Sequence, residues 1–304
     1  MKKFRLVRAS RLFLLVLCGL VASALTANAA TCCVWKVTNS KVPCYLVGTM
    51  HALTSTEYPL PTGYQQALKD SKRLLFEMSP NPESKFPDLF AAAEIYPKGD
   101  SVERHVHPKT WEIIRVNFGN RGWFGKPMYV GRKLVQAGVQ QMRPWAIAWS
   151  FYGIRGYNDF QSHYGVDNYF ARQGRKSGKE MGGLETDEEH VEVMRGMNDI
   201  ESELILLDRI THRDKAKGDL KQMHDAWRRG DIAAIWAESQ RFRNLDPGAV
   251  VRLLDMRNVK WIPKIRNEFN SGVPTSIVVG CAHMPGPNGL ISLLERNGFK
   301  FEQL

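Results

Sequence analysis

Four residues of this chain are of types that hold a divalent cation or move a proton, and each stands at the end of an apolar run. Tyr45-Leu46-Val47-Gly48-Thr49-Met50-His51 and Ser276-Ile277-Val278-Val279-Gly280-Cys281-Ala282-His283 share one layout, an apolar run followed by Gly-x-x-His. Arg73-Leu74-Leu75-Phe76-Glu77-Met78 carries Glu77 near its end, and Lys179-Glu180-Met181-Gly182-Gly183-Leu184-Glu185-Thr186 carries Glu185. Neutral imidazole and carboxylate both donate to divalent cations, and two His with one carboxylate are a common minimal ligand set. A cation so held lowers the pKa of water, and a nearby carboxylate can take and return the proton. The second carboxylate could be a further ligand, orient a ligand His, or act as general base. The residue types leave open which of Glu77 and Glu185 does which.

Each residue alone has a simpler structural reading. His51 and His283 could bond loop carbonyls in the core, Glu77 could bridge locally, and Glu185, beside Thr186, Asp187 and Glu188, could favour a helix N-terminus. The case rests on the four together. His105, His107, His190, His212 and His224 carry less weight. His105-Val106-His107 alternates like a strand pair of ligands but sits in a polar loop, His190 lies five residues after Glu185, and His212 and His224 are on helical segments without a partner at metal spacing. Cys281 reads as a small buried residue. No His-Glu-x-x-His, Cys-x-x-Cys, P-loop or Gly-x-Ser-x-Gly pattern occurs, so serine-hydrolase and nucleotide readings lack their main features. Arg257-Asn258 lies within an apolar helical stripe, where the pair could orient a site carboxylate or hold a substrate carboxylate. Its simpler reading is a surface salt bridge.

The elements that must position these residues follow from the apolar pattern. Runs rich in β-branched residues, each ending in a turn, read as buried strands, which places His51 and His283 just past strand ends, where open α/β sheets put their ligand sites. Gly48, Gly183 and Gly280 let the backbone turn sharply there. A hairpin is expected over residues 33–46, a helix over 64–71, strands at 73–78 and 179–186, and a last strand at 275–279. A helix follows over 289–297, with an edge strand over 299–304. Thr186 or Asp187 caps a helix, Gly230-Asp231 starts another, and residues 253–269 are helical with an interruption at Pro263. Breaks are also expected around residues 217–219. The fold class is α/β, with a small central sheet built mainly from the two chain ends and a large helical insertion at about 86–245.

Residues 1–29 read as a signal peptide: a basic start, an apolar stretch over 12–25 too short to span comfortably, and Ala27-Asn28-Ala29 before a cleavage point. Residues 30–304 then form one domain. The net charge of +11 owes five basic residues to that leader, leaving a mildly basic body with no nucleic-acid motif. No second long apolar run is present, so the mature protein is not expected to span a membrane, and the expected location is periplasmic or secreted. An exported chain can oxidise its thiols, and a hairpin around Thr38-Asn39-Ser40 could set Cys33 opposite Cys44 in a disulfide, with Cys32 as the substitute in another register.

The chain resembles the TraB/GumN family, which includes the Tiki-type proteases. The resemblance is carried by Val34-Trp35-Lys36-Val37, the two Gly-x-x-His segments, Tyr58-Pro59-Leu60-Pro61, Gly183-Leu184-Glu185-Thr186 and Arg257-Asn258-Val259-Lys260-Trp261, by their order and spacing along the chain. It implies a fold similar to the erythromycin-esterase/ChaN-like group and, from the Tiki branch, metal-dependent peptide cleavage with manganese or cobalt rather than zinc. It maps the family's two histidines onto His51 and His283, its acidic positions onto Glu77 and Glu185, and its Arg-Asn pair onto Arg257 and Asn258. The expected function is an exported metal-dependent peptidase. In it His51 and His283 hold the metal with a carboxylate from Glu77 or Glu185, and Arg257 and Asn258 position a peptide or protein substrate. Two alternatives are a peptide-sequestering protein without turnover and a haem- or iron-handling protein.

Overall fold

The structure is a computed structural model that describes residues 31–118, 128–130, 133–135, 138–154 and 160–304. The expected leader, residues 1–29, lies outside the described residues. Eight strands are present among them: β1 (Val34–Val37), β2 (Cys44–Thr49), β3 (Arg73–Met78), β4 (Met128–Val130), β5 (Lys133–Val135), β6 (Glu180–Glu185), β7 (Thr275–Gly280) and β8 (Phe301–Gln303). Six of them form one mixed sheet in the order β6-β3-β7-β2-β1-β8, and β4 and β5 pair separately. The four strands β6, β3, β7 and β2 run parallel, so their carboxyl ends share one edge. β7, from the C-terminal part of the chain, lies between β2 and β3. β2 and β7 are buried at every position, as expected of central parallel strands covered on both faces.

The helices are α1 (Thr62–Asp70), α2 (Phe86–Ala93), α3 (Pro108–Phe118), α4 (Pro144–Ile154), α5 (Val166–Lys176), α6 (Asp187–Arg195), α7 (Asp199–Thr211), α8 (Arg213–Arg228), α9 (Ile232–Leu245), the single turn α10 (Pro247–Val250), α11 (Met256–Asn270) and α12 (Leu290–Glu295). One apolar core surrounds the sheet and includes Leu46, Val47, Phe76, Trp261 and Val278. A second, among the helices, gathers Tyr96, Ile114, Trp145, Ile147 and Leu206. No helix among the described residues is long and apolar enough to cross a membrane.

Several expectations shift in detail. α8 runs unbroken through residues 217–219, with the break at His212 instead. α11 contains Pro263 without ending there, and a π-helical turn, Val251–Asp255, leads into it. Arg257, Trp261, Ile265 and Phe269 recur every fourth residue and are all buried, so one helix face carries the guanidinium onto the sheet in line with three apolar anchors.

The Cys33–Cys44 disulfide is not formed; both thiols are free, as are those of Cys32 and Cys281. The reason is register. Val34 pairs with Val47 and Lys36 with Tyr45, so the two cysteines sit at opposite ends of the hairpin. Gly48, not Cys44, faces Cys33, and its N–H donates to the Cys33 carbonyl at 2.7 Å.

Candidate active site at the carboxyl edge of the sheet

The shared strand edge brings His51, Glu77, Glu185 and His283 into one region, and α11 adds Arg257 and Asn258. Glu77 is the hub. Its Oε1 accepts the Gly280 N–H at 2.8 Å and lies 3.7 Å from His51 Nε2 and 3.8 Å from His283 Nε2. Its Oε2 accepts from Arg257 Nη2 at 2.6 Å. Burial works against ionisation of Glu77, but the Arg257 guanidinium leads the groups that hold its carboxyl well below the usual carboxylate range.

Glu185 takes part through Arg257 rather than through the histidine pair. Its Oε1 is 2.5 Å from both Arg257 Nη2 and His190 Nδ1, and its Oε2 accepts from Arg257 Nε and Trp261 Nε1, each at 3.2 Å. Against the opposing effect of burial, the bonds from His190 and Arg257 lower its pKa. The guanidinium stacks 4.7 Å from the Trp261 ring and also donates from Nη1 to the Leu253 carbonyl at 3.1 Å. This clasp of one cation and two buried carboxylates is of the kind whose partners cost about 3–5 kcal/mol to remove singly, because an uncompensated charge stays behind.

The two imidazoles are held in the same way by different partners. Asn258 Nδ2 donates to the carbonyls of His283 and Asn288, at 3.3 and 2.8 Å, which turns its Oδ1 toward His283 Nδ1 at 2.7 Å. His283 Nδ1 therefore carries the proton, and the Nε2 lone pair lies 3.4 Å from Arg257 Nη1, which can donate to it, and 3.8 Å from Glu77 Oε1. His51 Nδ1 donates to Asp167 Oδ2 at 2.9 Å, while Thr49 Oγ1 donates to Asp167 Oδ1 at 2.7 Å. Asp167 raises the pKa of His51 to about 10, whereas burial pushes that of His283 down to about 3.

The motif glycines give space rather than the sharp turns expected of them: Gly48 and Gly183 lie within β2 and β6, and Gly280 has φ −50° and ψ 138°, open to any residue. A Cβ on Gly280 would stand 3.3 Å from both Glu77 Oε1 and His51 Nε2 and 3.7 Å from His283 Cδ2. The gap between the three donors is thus kept open by this residue type. A Cβ on Gly48 would meet Cys33 and Cys281, and one on Gly183 would overlap the backbone at Ser79. Burial pushes the Cys281 thiol up to about 12, so without a metal it stays a neutral thiol at neutral pH.

Glu77, Glu185 and His190 are, among the described residues, the group whose donor atoms all lie within 4.8 Å of one another and that could hold a metal ion. His190 and Asp167 are additions to the expected set. His190 stands five residues after Glu185, on α6, whose N-terminus Thr186 fixes by a reciprocal cap with Glu189. Asp167 sits in the first turn of α5, and nothing in its local sequence distinguishes it.

A model of the TraB/PrgY/gumN family matches residues 33–303. The chain belongs to this family. No curated protein and no solved structure matches the chain. The family match spans both Gly-x-x-His turns, both glutamates and the Arg257-Asn258 pair, so the clustered residues and the matched region coincide.

Proposed function

We propose that this TraB-family chain is an exported metal-dependent hydrolase that cleaves peptides, with His51, Glu77 and His283 holding the cation. The observation that carries the reading is the shared aim of the two imidazoles. Each Nδ1–H is taken by a side-chain oxygen, and each Nε2 is left toward Glu77 Oε1, the arrangement by which metal-ligating histidines are usually oriented. Two donors at about 2.0–2.2 Å from one ion lie at most about 4.4 Å apart. Glu77 Oε1 meets this with each imidazole, at 3.7 and 3.8 Å, but the three donors do not all lie within 4.8 Å of one another, so one imidazole must move inward to share an ion. His51, with its side chain 68% exposed, is the ligand with freedom to adjust. The Glu77, Glu185 and His190 donors do lie within 4.8 Å of one another, but Arg257 Nη2 already stands among them, at 2.6, 2.5 and 3.2 Å, nearer than its Nη1 comes to His283 Nε2 at 3.4 Å, and supplies the positive charge.

A divalent cation at this place supplies Lewis acidity and lowers the pKa of water. Arg257 fixes Glu77 through Oε2 and, with Nη1 at 3.4 Å from His283 Nε2, brings positive charge to the place where a scissile carbonyl would polarise. Glu185 and Trp261 fix Arg257. His190, held by Glu185 and 22% exposed, can carry a proton between the site and solvent. Peptide as substrate, manganese or cobalt as metal, and kinship with the erythromycin-esterase/ChaN-like fold group rest on the family resemblance. Export to the periplasm or outside the cell rests on the composition of the first 29 residues.

The test is metal analysis of protein purified without chelator, beside a His51→Ala, His283→Ala double variant. Stoichiometric metal in the wild type and its loss in the variant are expected; equal, negligible metal in both would sink the metal reading. Incubation with a diverse peptide library and Mn²⁺ or Co²⁺ should then generate new termini. Peptides retained intact would point to sequestration instead.

A further inference from the structure

We infer that an apolar cavity beside the Gly280–His283 turn is the subsite that receives a bulky apolar side chain of the substrate. This deepens the peptide-hydrolase reading above and rests on it. The cavity holds about 300 Å³, and its walls include Trp149, Ile205, Met223, Phe242, Leu253 and Ala282. Polar groups on the wall are engaged elsewhere: Ser239 Oγ donates to the Ile235 carbonyl at 2.9 Å, and Glu238 pairs with Arg241 at 3.0 Å. Arg209 is also on the wall, with Nη1 3.9 Å from Asp208 Oδ2, and the rest of the surface that meets an occupant is hydrocarbon, aromatic ring and thioether.

Two short links tie this cavity to the catalytic edge. Ala282 is part of its wall and is followed directly by His283. Leu253 is part of its wall, and its carbonyl accepts from Arg257 Nη1 at 3.1 Å. A side chain seated here therefore belongs to a residue whose backbone lies near His283 and Arg257. The size fits this occupant, since a cavity of roughly 150 Å³ already admits benzene and small-molecule pockets begin near about 300 Å³. Trp149, on the wall, is 45% exposed and carries the apolar surface out toward solvent.

The experiment measures binding without turnover. Capped pentapeptides, Ac-Ala-Ala-X-Ala-Ala-NH₂ with X as Phe, Leu, Ala or Asp, are titrated calorimetrically into the chelator-treated full chain. The Phe and Leu peptides are expected to bind roughly tenfold or more tighter than the Ala and Asp peptides, the discrimination an apolar pocket can give. Met223→Trp and Leu254→Trp, both at half-buried wall positions, fill the cavity and should reduce that preference to within about twofold. Leu254→Ala enlarges it and should shift preference from Leu toward Phe. Melting curves show which variants fold, and the wild-type series stands without any of them.

Equal affinity for all four peptides overturns the proposal, as does a preference that survives in a folded filled variant. Displacement of the Phe peptide by a free fatty acid that binds more tightly than any of the peptides also overturns it, because the occupant is then a lipid. The outcomes separate this inference from the reading beneath it. A side-chain preference with no cleavage by the metal-loaded protein leaves the subsite standing and removes the hydrolase. Cleavage with no preference does the reverse.

Discussion

His51 and His283 end neighbouring parallel strands behind the same Gly-x-x-His layout, yet one side chain is 68% exposed beside a carboxylate and the other 4% exposed beside an amide. The layout fixes where the backbone leaves the sheet. The partner on a distant helix, Asp167 on α5 or Asn258 on α11, fixes what each ring does with protons. Asp167 raises His51 to about 10, so without a cation that ring is charged at neutral pH. Burial leaves His283 neutral, with a pKa of about 3. Glu77 stands between a cationic and a neutral imidazole. Loading a metal then releases a proton from the His51 side alone.

Glu77 is the residue the two halves share, so removing its charge should give the largest effect. Glu77→Gln leaves Arg257 short of one buried partner, and a loss of about 3–5 kcal/mol is expected. For a chain of this size that lowers the melting temperature by roughly 10 °C, read by thermal unfolding. Metal uptake should vanish with it. A Glu77→Gln protein that melts close to wild type, with a shift well under that figure, would show that the histidines are held independently.

The next effect separates the two rings by pH, in chelator-treated protein. The native His283 pKa of about 3 lies below the ordinary 6.5, so as pH falls the unfolded chain takes its proton first. Stability from this residue is full above about pH 6.5 and is lost below it, by at most about 1.4 kcal/mol per pH unit. Glu77 and Glu185, lowered from 4.5, add their own loss only below about pH 4.5, whereas Glu94, raised to about 7 by burial, opposes His283 between pH 4.5 and 7, so the His283 share is read as the difference between wild type and variant. His51 has the opposite sign. Its stabilisation is full below pH 6.5 and disappears as pH rises through about 10. Urea unfolding across roughly pH 4.5–10 should show less acid loss than wild type in His283→Gln and a flatter alkaline limb in His51→Gln. Both variants changing the same limb would contradict the assigned environments.

The strand edge is legible in the sequence because central parallel strands are buried on both faces and read as unbroken apolar runs. Residues 73–78 and 275–279 carry that pattern plainly, and with it comes the placement of Glu77 and His283. Arg257 is legible through its fourth-residue spacing with Trp261, Ile265 and Phe269. Asp167 is not. It lies 116 residues from His51, and an acid in a first helical turn is commonplace. Its role comes from α5 docking against the β2 turn, where the Val166 N–H donates to the Met50 carbonyl at 3.0 Å. The cysteines illustrate a different limit. Hairpin register depends on loop length, and six residues join β1 to β2 where Thr38-Asn39-Ser40 alone suggests a shorter turn. His190 escapes a sequence reading because its neighbours offer no ligand spacing, while its partner Glu185 precedes the helix and points back to it.

The smallest change in stability is expected at the motif glycines, and it decides between two places for a cation. Gly280 has φ −50° and ψ 138°, a conformation open to any residue, and its Cβ would meet only side-chain atoms among its three nearest neighbours. Gly280→Ala should therefore change stability by about 1 kcal/mol or less. Its methyl nevertheless occupies the gap between His51, Glu77 and His283. Gly48→Ala is the control from the other turn. Its Cβ would press against the Cys33 carbonyl oxygen at 3.2 Å and Cys281 Cα at 3.3 Å, backbone that yields poorly, at about 1–3 kcal/mol. Metal uptake should fall in the stable Gly280 variant and persist in the less stable Gly48 variant while it remains folded. Full uptake in Gly280→Ala would move the cation away from the histidine pair and toward Glu77, Glu185 and His190, with Arg257 displaced from between them.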